Sequence, residues 1–229
     1  MAKRNRNTLK KRNPDDEKKY LPLTNDNIIL ISAKVEKDPK YGPQGEEIEK
    51  YLCENPENKE RNKVIHKILL IDFTNSTNLR FTSHHANNFS IFKLADKIIE
   101  WDIDERIKNG DHDVVDSIAQ FENANIFSFA TKYCFYHSYY VYKSDNYSIF
   151  DKIVVNTIPQ YLDITQKEIN KYKDMGYKKY HELINEIIKT YNLNDPFVRR
   201  KLDHFFWYPN RPIIDNEKTT CYHETSSML

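Results

Sequence analysis

Glycine is scarce in this chain, with four residues in 229, and no Asn-Gly or Asp-Gly turn lies between alternating strands. That argues against an all-β architecture. Cysteine is scarcer still. Cys53, Cys134 and Cys221 are far apart and form no C-x-x-C pair, which speaks against a zinc knuckle or a disulfide framework. The three read as reduced thiols of a cytoplasmic protein. Neither sign of charge dominates: 35 Lys and Arg face 34 Asp and Glu, a formal net charge of +1. A surface basic enough to bind nucleic acid wholesale is thereby excluded, and any such face must be a local patch. No apolar run approaches the roughly 18 residues of a membrane span. The first residues, MAKRNRNTLKKRN, are basic but lack the apolar core of a signal peptide. No internal repeat is present.

What the chain does have is large apolar side chains. Sixteen tyrosines and twelve phenylalanines predict a folded core, in one domain or two small lobes. The dominant periodicity is helical. Ile91, Leu94, Ala95, Ile98 and Ile99 recur at three- and four-residue steps, as do Val114, Val115, Ile118 and Ala119. Tyr180, Leu183, Ile184, Ile187, Ile188 and Tyr191 make a longer stripe. Thr165 and Glu168 have capping-box spacing, and Asp195-Pro196 fits an N-cap followed by proline. The apolar run Val64 to Ile71 reads as a buried helix, and residues 38–62 as loop with a short helix. The expected organisation is a basic flexible tail over 1–19, a helical domain over 20–215 and a C-terminal tail over 216–229. The basic tail is either a solvated segment or an arm that contacts phosphates.

Residues 111–161 carry the chemistry. A helix is predicted from about Asp113 to Phe121, then a turn at Glu122-Asn123-Ala124-Asn125. Ile126-Phe127-Ser128-Phe129-Ala130-Thr131-Lys132 follows and opens an aromatic helix. A polar loop then leads to Ile149-Phe150-Asp151 and another apolar helix. A lysine at the start of an apolar helix is unusual. Burial disfavours an ammonium ion, and a neutral amine is a nucleophile able to form a Schiff base with a sugar carbon. A carboxylate at a following helix start is favoured by the amides there. It can stabilise positive charge developing on a sugar or take a proton from the amine. The plainer alternative is a surface lysine and an ordinary N-cap.

This segment resembles the helix-hairpin-helix superfamily of DNA glycosylases, especially its 8-oxoguanine branch. There, a hairpin precedes a nucleophilic lysine, and an essential aspartate follows at nearly the spacing of Lys132 and Asp151, nineteen residues apart here. The motifs Phe-Ser-Phe-Ala-Thr-Lys-Tyr and Tyr-Ser-Ile-Phe-Asp look like those of short bacterial members of that superfamily. The resemblance extends over roughly residues 62–208 and takes in Leu70 to Asn78 and Lys201 to Trp207. The family hairpin is usually Leu-Pro-Gly-x-Gly, whereas Ser128 and Ala130 replace its glycines here.

The resemblance implies an all-α, two-lobed fold with the helix-hairpin-helix at about 113–142. Lys132 and Asp151 become the catalytic pair. Asn75, Asn78, Ser128, Ala130, Lys143 and Lys152 become candidates for contacting DNA, and Tyr136, Asp203 and Trp207 for lining a base pocket. Ordinary helix capping by Thr74, Asn75 or Ser76 suits that stretch equally, and His84-His85 suits a solvated loop. His137 is not on the helical face of Lys132 and receives no role. Cys221-Tyr222-His223 offers fewer ligands than a zinc site takes; no metal or cofactor is expected. The expected partner is double-stranded DNA, with no membrane, for a cytoplasmic monomer. The expected activity is excision of a modified or damaged base, with abasic-site lyase activity implied by the lysine. The base is either 8-oxoguanine in repair or a phage-type modified base in anti-phage defence. The rivals are a non-enzymatic helical module, nucleic-acid-binding or toxin-like, and a general helical interaction protein.

Overall fold

A computed structural model of the chain describes residues 20–82 and 88–210. Among these residues every regular element is helical. The α-helices are α1 (Asn25–Glu36), α2 (Tyr41–Glu54), α3 (Arg61–Asn75), α4 (Leu79–Thr82), α5 (Ile91–Glu100), α6 (Ile103–Lys108), α7 (Asp113–Ala119), α8 (Phe127–Tyr136), α9 (Lys152–Thr157), α10 (Gln166–Asn170), α11 (Tyr172–Met175), α12 (Tyr177–Thr190) and α13 (Val198–Trp207). A π-turn, His137–Val141, extends α8, and 3₁₀ turns lie at Phe121–Asn123 and Ile158–Gln160. The all-helical expectation holds. No described helix is long and apolar enough to cross a membrane. The expected tails at 1–19 and 216–229, His84-His85 and Cys221-Tyr222-His223 lie outside the described residues.

Local sequence explains where these helices start. Thr24 caps α1 by accepting from Asn27 N–H at 3.2 Å, and Ser90 caps α5 by accepting from Phe92 N–H at 3.2 Å. Thr165 and Glu168 close the expected capping box on α10. The run Val64 to Ile71 is helical, as its surroundings suggested, and buries Val64, Ile65, Ile68 and Ile71. It packs on α5 through Leu94, Ala95 and Ile98. Each such side chain contributes about 1.5–3 kcal/mol by leaving water. At the other end of the chain α13 packs along α1, where Ser32 Oγ meets His204 Nδ1 at 3.0 Å inside the core.

Two local expectations need correction. Residues 38–62 contain a full fourteen-residue helix, α2, despite their glycines and prolines. Pro43 stands in the first turn, where no N–H is needed. A Cβ on Gly42 would sit 2.4 Å from the carbonyl oxygen of Glu36, so glycine lets α2 begin hard against the end of α1. Asp195 caps a turn ahead of α13 by accepting from Phe197 N–H, and the helix itself starts at Val198, beyond the expected Pro196.

The segment 143–151 has no regular structure, yet Tyr147, Ser148, Ile149 and Phe150 are buried. Buried backbone needs partners, and this strap finds them on four sides. The Tyr177 hydroxyl sits between Ser148 N–H and Ser148 C=O. Tyr180 donates its hydroxyl to Ile149 C=O at 2.7 Å, and Phe150 N–H donates to Thr131 Oγ1 at 3.1 Å. Tyr147 reaches across to Asp111 C=O at 2.9 Å. Several of the tyrosines conspicuous in the composition hold this strap, and the strap delivers Asp151.

Candidate active site

Lys132 lies in the second turn of α8, not at its opening. The turn before the helix falls at Glu122–Asn125, where the sequence placed it, but the helix begins earlier than expected. Glu122, Asn123 and Asn125 adopt left-handed φ values of 51°, 56° and 48°, and α8 begins at Phe127. Ile126–Ala130 is therefore not the hairpin loop. Ala130 is fully buried and its N–H donates to Ile126 C=O at 2.9 Å, so it serves packing and has no amide to offer DNA. Ser128 is in the first turn, where helix amides lack intrahelical partners; its hydroxyl accepts from Lys132 Nζ at 3.4 Å.

Lys132 and Asp151 meet. Lys132 Nζ donates to Asp151 Oδ2 at 2.9 Å, with the side chains 6% and 19% exposed. The other oxygen, Oδ1, accepts from Ile153 N–H at 2.8 Å, which makes Asp151 the N-cap of α9. The carboxylate is thus oriented from two directions, and the ion pair is nearly dry.

Asp203 completes the cluster. It shares one face of α13 with Arg200 and Trp207. The charges around it are Arg200 on its own helix, Asp151 at the head of α9 and Lys132 on α8. The hydroxyl groups of Tyr136 on α8 and Tyr180 on α12 also lie within its electrostatic reach. Burial pushes its carboxyl up to about 7; Arg200 opposes the rise, Asp151 adds to it and Lys132 opposes it. Among the described residues the carboxyl makes no hydrogen bond. Tyr136 donates to Asn75 Oδ1 at 2.8 Å, and Asn75 in turn donates to Ile71 C=O. Asn75 is therefore part of the wall around Tyr136. Trp207 packs edge-on against Tyr41, with ring centroids 4.8 Å apart.

The remaining candidates are peripheral. Asn78 is exposed in a left-handed turn with φ of 60°, its side chain bonded to Ser76 C=O. Lys152 is exposed beside Asp151, on the rim. Lys143 is exposed as well, at 3.5 Å from Glu49 and away from the lysine–aspartate pair.

Sequence reasoning missed Arg200. Its buried guanidinium lies 5.4–5.9 Å from the ring centroids of Phe135, Tyr136, Tyr139 and Tyr140 and donates to Tyr140 Oη at 3.2 Å. It floors a cleft of about 360 Å³ whose walls include Glu46, Glu49, Tyr139 and Phe197. Neither Lys132 nor Asp151 lines that cleft. The charged residue among so many aromatics was the available signal, but one arginine in an amphipathic helix reads as a solvated side chain. Thr131 was also missed, although it fixes the strap one residue away from Lys132.

The described residues are thus all-helical, with a nearly dry lysine–aspartate pair and a further carboxyl, Asp203, within its electrostatic reach. The family model described as HI_0787_N, N-terminal domain, matches residues 18–141, and the chain belongs to that family. The match includes Lys132 and ends before Asp151 and Asp203. No curated protein and no solved structure matches the chain.

Proposed function

We propose that the protein is a DNA glycosylase of helix-hairpin-helix type, with a two-lobed fold, that uses Lys132 and Asp151 to excise a flipped base. The carrying observation is the 2.9 Å contact between a nearly buried amine and a carboxylate held at a helix N-terminus. A buried ion pair is costly to desolvate and stabilises a fold weakly. A role in chemistry accounts for its retention better than a role in stability.

The chemistry follows from the pair. In the resting state the ammonium of Lys132 faces the carboxylate of Asp151. Transfer of one proton from Nζ to the carboxylate yields a neutral amine and a neutral acid. The amine attacks the anomeric carbon of an extruded nucleotide. The bond from that carbon to the base breaks, and its electron pair leaves with the base. Loss of a further proton opens the sugar to a Schiff base, from which β-elimination can cut the strand. Duplex DNA is held by the free amides of the first turn of α8, near Ser128, and by Lys152, with Asn78 on the rim. Tyr136, Asp203 and Trp207 surround the base.

The base is either 8-oxoguanine or a phage-type modified base, such as glucosylated hydroxymethylcytosine, removed in anti-phage defence. Mass spectrometry of bases released from damaged and phage-modified DNAs tests the assignment. Release of one of these bases by the wild type, and none by Lys132→Gln, is the expected result. Equal release by both contradicts it.

A further inference from the structure

We infer that the cleft floored by Arg200 is a second ligand site, and that it takes the pyranose ring of a hexose. The inference does not depend on the glycosylase reading, and neither Lys132 nor Asp151 lines this cleft.

The cleft has room, and its floor has unspent donors. It holds about 360 Å³ between α1, α2, the π-turn after α8 and the start of α13. That volume is within the range of small-molecule sites. The Arg200 side chain is buried. A guanidinium carries five N–H groups, and this one makes a single hydrogen bond among the described residues, to Tyr140 Oη at 3.2 Å. None of its nitrogens is sealed from solvent without a partner, so the spare N–H groups open on the cleft. Gly45 keeps them uncovered. A Cβ there would stand 3.7 Å from Tyr140 Oη and 4.0 Å from Arg200 Nη2, an ordinary contact. Packing therefore does not demand a glycine inside α2, where glycine weakens a helix. What the missing side chain does is leave space over the guanidinium.

The walls carry acceptors and rings. Glu36 comes from α1, and Glu46 and Glu49 come from α2. Glu36 accepts from Ser32 Oγ at 3.5 Å, and Glu49 faces Lys143 Nζ at 3.5 Å on the rim. Tyr41, Tyr139 and Phe197 line the cleft and are partly exposed, the last two edge to face with centroids 5.3 Å apart.

Simpler ligands fail on one side of this lining. An anion drawn to Arg200 meets three carboxylates, and a cation drawn to the carboxylates meets Arg200 and Lys143. An apolar ligand strips water from both signs and replaces none of its hydrogen bonds. A neutral ligand that both donates and accepts satisfies the whole lining, and a hydroxyl does both through one oxygen. The acceptors stand on two helices and the guanidinium on a third, so polar groups are needed all round the ligand. A pyranose carries hydroxyls round its perimeter, whereas a nucleobase concentrates its donors on one edge. The C–H faces of the sugar suit the electron-rich faces of the aromatic walls.

Isothermal titration of the full-length protein tests this. One arm uses methyl α- and β-D-glucopyranoside. The other compares a duplex carrying glucosylated 5-hydroxymethylcytosine with the same duplex unglucosylated. Saturable binding of a glucoside, or tighter binding of the glucosylated duplex, is expected. The first arm alone points to a free sugar, and the second to a sugar carried on DNA. Gly45→Leu fills the space over Arg200 and should weaken that binding about tenfold. Glu46→Gln alters one exposed wall acceptor and should weaken it about threefold. No binding in either arm, or wild-type affinity in both variants, overturns the inference. If Gly45→Leu does not fold, unchanged affinity in Glu46→Gln overturns it. Binding of guanosine in place of both glucosylated ligands makes this a nucleobase site and overturns it too. Base release is a separate result: release without sugar binding removes the inference and leaves the glycosylase reading, and sugar binding without release does the reverse.

Discussion

Thr131 and Phe150 are joined by one hydrogen bond, from Phe150 N–H to Thr131 Oγ1 at 3.1 Å, and each is the chain neighbour of one member of the lysine–aspartate pair. The bond fixes the spacing of α8 and the strap where Lys132 and Asp151 must meet. Thr131→Val keeps the shape and removes the acceptor. A buried N–H left unpaired costs about 1–3 kcal/mol. A lower Tm and a loss of borohydride trapping larger than the loss of DNA binding are the expected outcomes. Equal trapping by the two proteins contradicts this role.

Asp203 makes the stability of the fold depend on pH. Its folded pKa, near 7, lies above the unfolded value of about 4. The folded state therefore binds more protons than the unfolded state between those two values. Its contribution is fully present below pH 4 and is lost as pH rises through 7. Asp203→Asn removes that loss. Thermal melts should show the variant more stable than the wild type at pH 8, with the difference disappearing near pH 4. A variant less stable at pH 8 than at pH 4, relative to wild type, contradicts the assignment.

His112 and His181 stack with ring centroids 4.0 Å apart, beneath the strap. Burial lowers both, His181 to about 3, with Arg199 and the neighbouring ring adding to the effect at His181. Asp111 and the carbonyl of Asn146 oppose the fall at His112, and Lys178 adds to it. Here the folded state binds fewer protons than the unfolded one. The stabilisation is complete above about 6.5 and is lost progressively as pH falls toward 3. His181→Phe should flatten the fall in Tm between pH 7 and pH 5. An unchanged slope shows that the acid sensitivity lies elsewhere.

Lys67 is buried, and its ammonium donates to Glu57 C=O at 2.9 Å and Asn58 Oδ1 at 3.0 Å; Tyr133 donates to that same Asn58 oxygen. Burial lowers its pKa to about 8. Below that value the fold carries a desolvation cost that these contacts only partly offset, and it is relieved as pH rises toward the unfolded value of about 10. Lys67→Met strands several buried acceptors, so denaturant melts should show a less stable protein. The gap from wild type should widen between pH 8 and pH 10, and a constant gap contradicts the shift.

Much of the scaffold was legible in the sequence, for physical reasons. Leu94, Ala95 and Ile98, and Tyr180, Leu183, Ile184 and Ile187, repeat at helical spacing because one side of each helix is buried. The Thr165–Glu168 box is a local interaction and needs no tertiary context. The lysine–aspartate meeting was legible through spacing within a resemblance. The start of α8 was not, since the three left-handed residues before it are Glu and Asn, without the glycines that usually mark such a turn. Helix α2 was hidden by residues that normally break helices, because the reason for Gly42 is a contact with α1. Arg200 and Thr131 act through partners sixty and nineteen residues away, which no local pattern encodes.

The central claim is that the Lys132 amine becomes covalently joined to a sugar carbon. Borohydride reduction of the protein with an abasic-site duplex, followed by peptide mapping of the adduct, tests it most directly. The expected result is a single DNA adduct on Lys132 that disappears in Lys132→Gln and weakens sharply in Asp151→Asn. An adduct on another lysine, or none with the folded wild-type protein, contradicts the account.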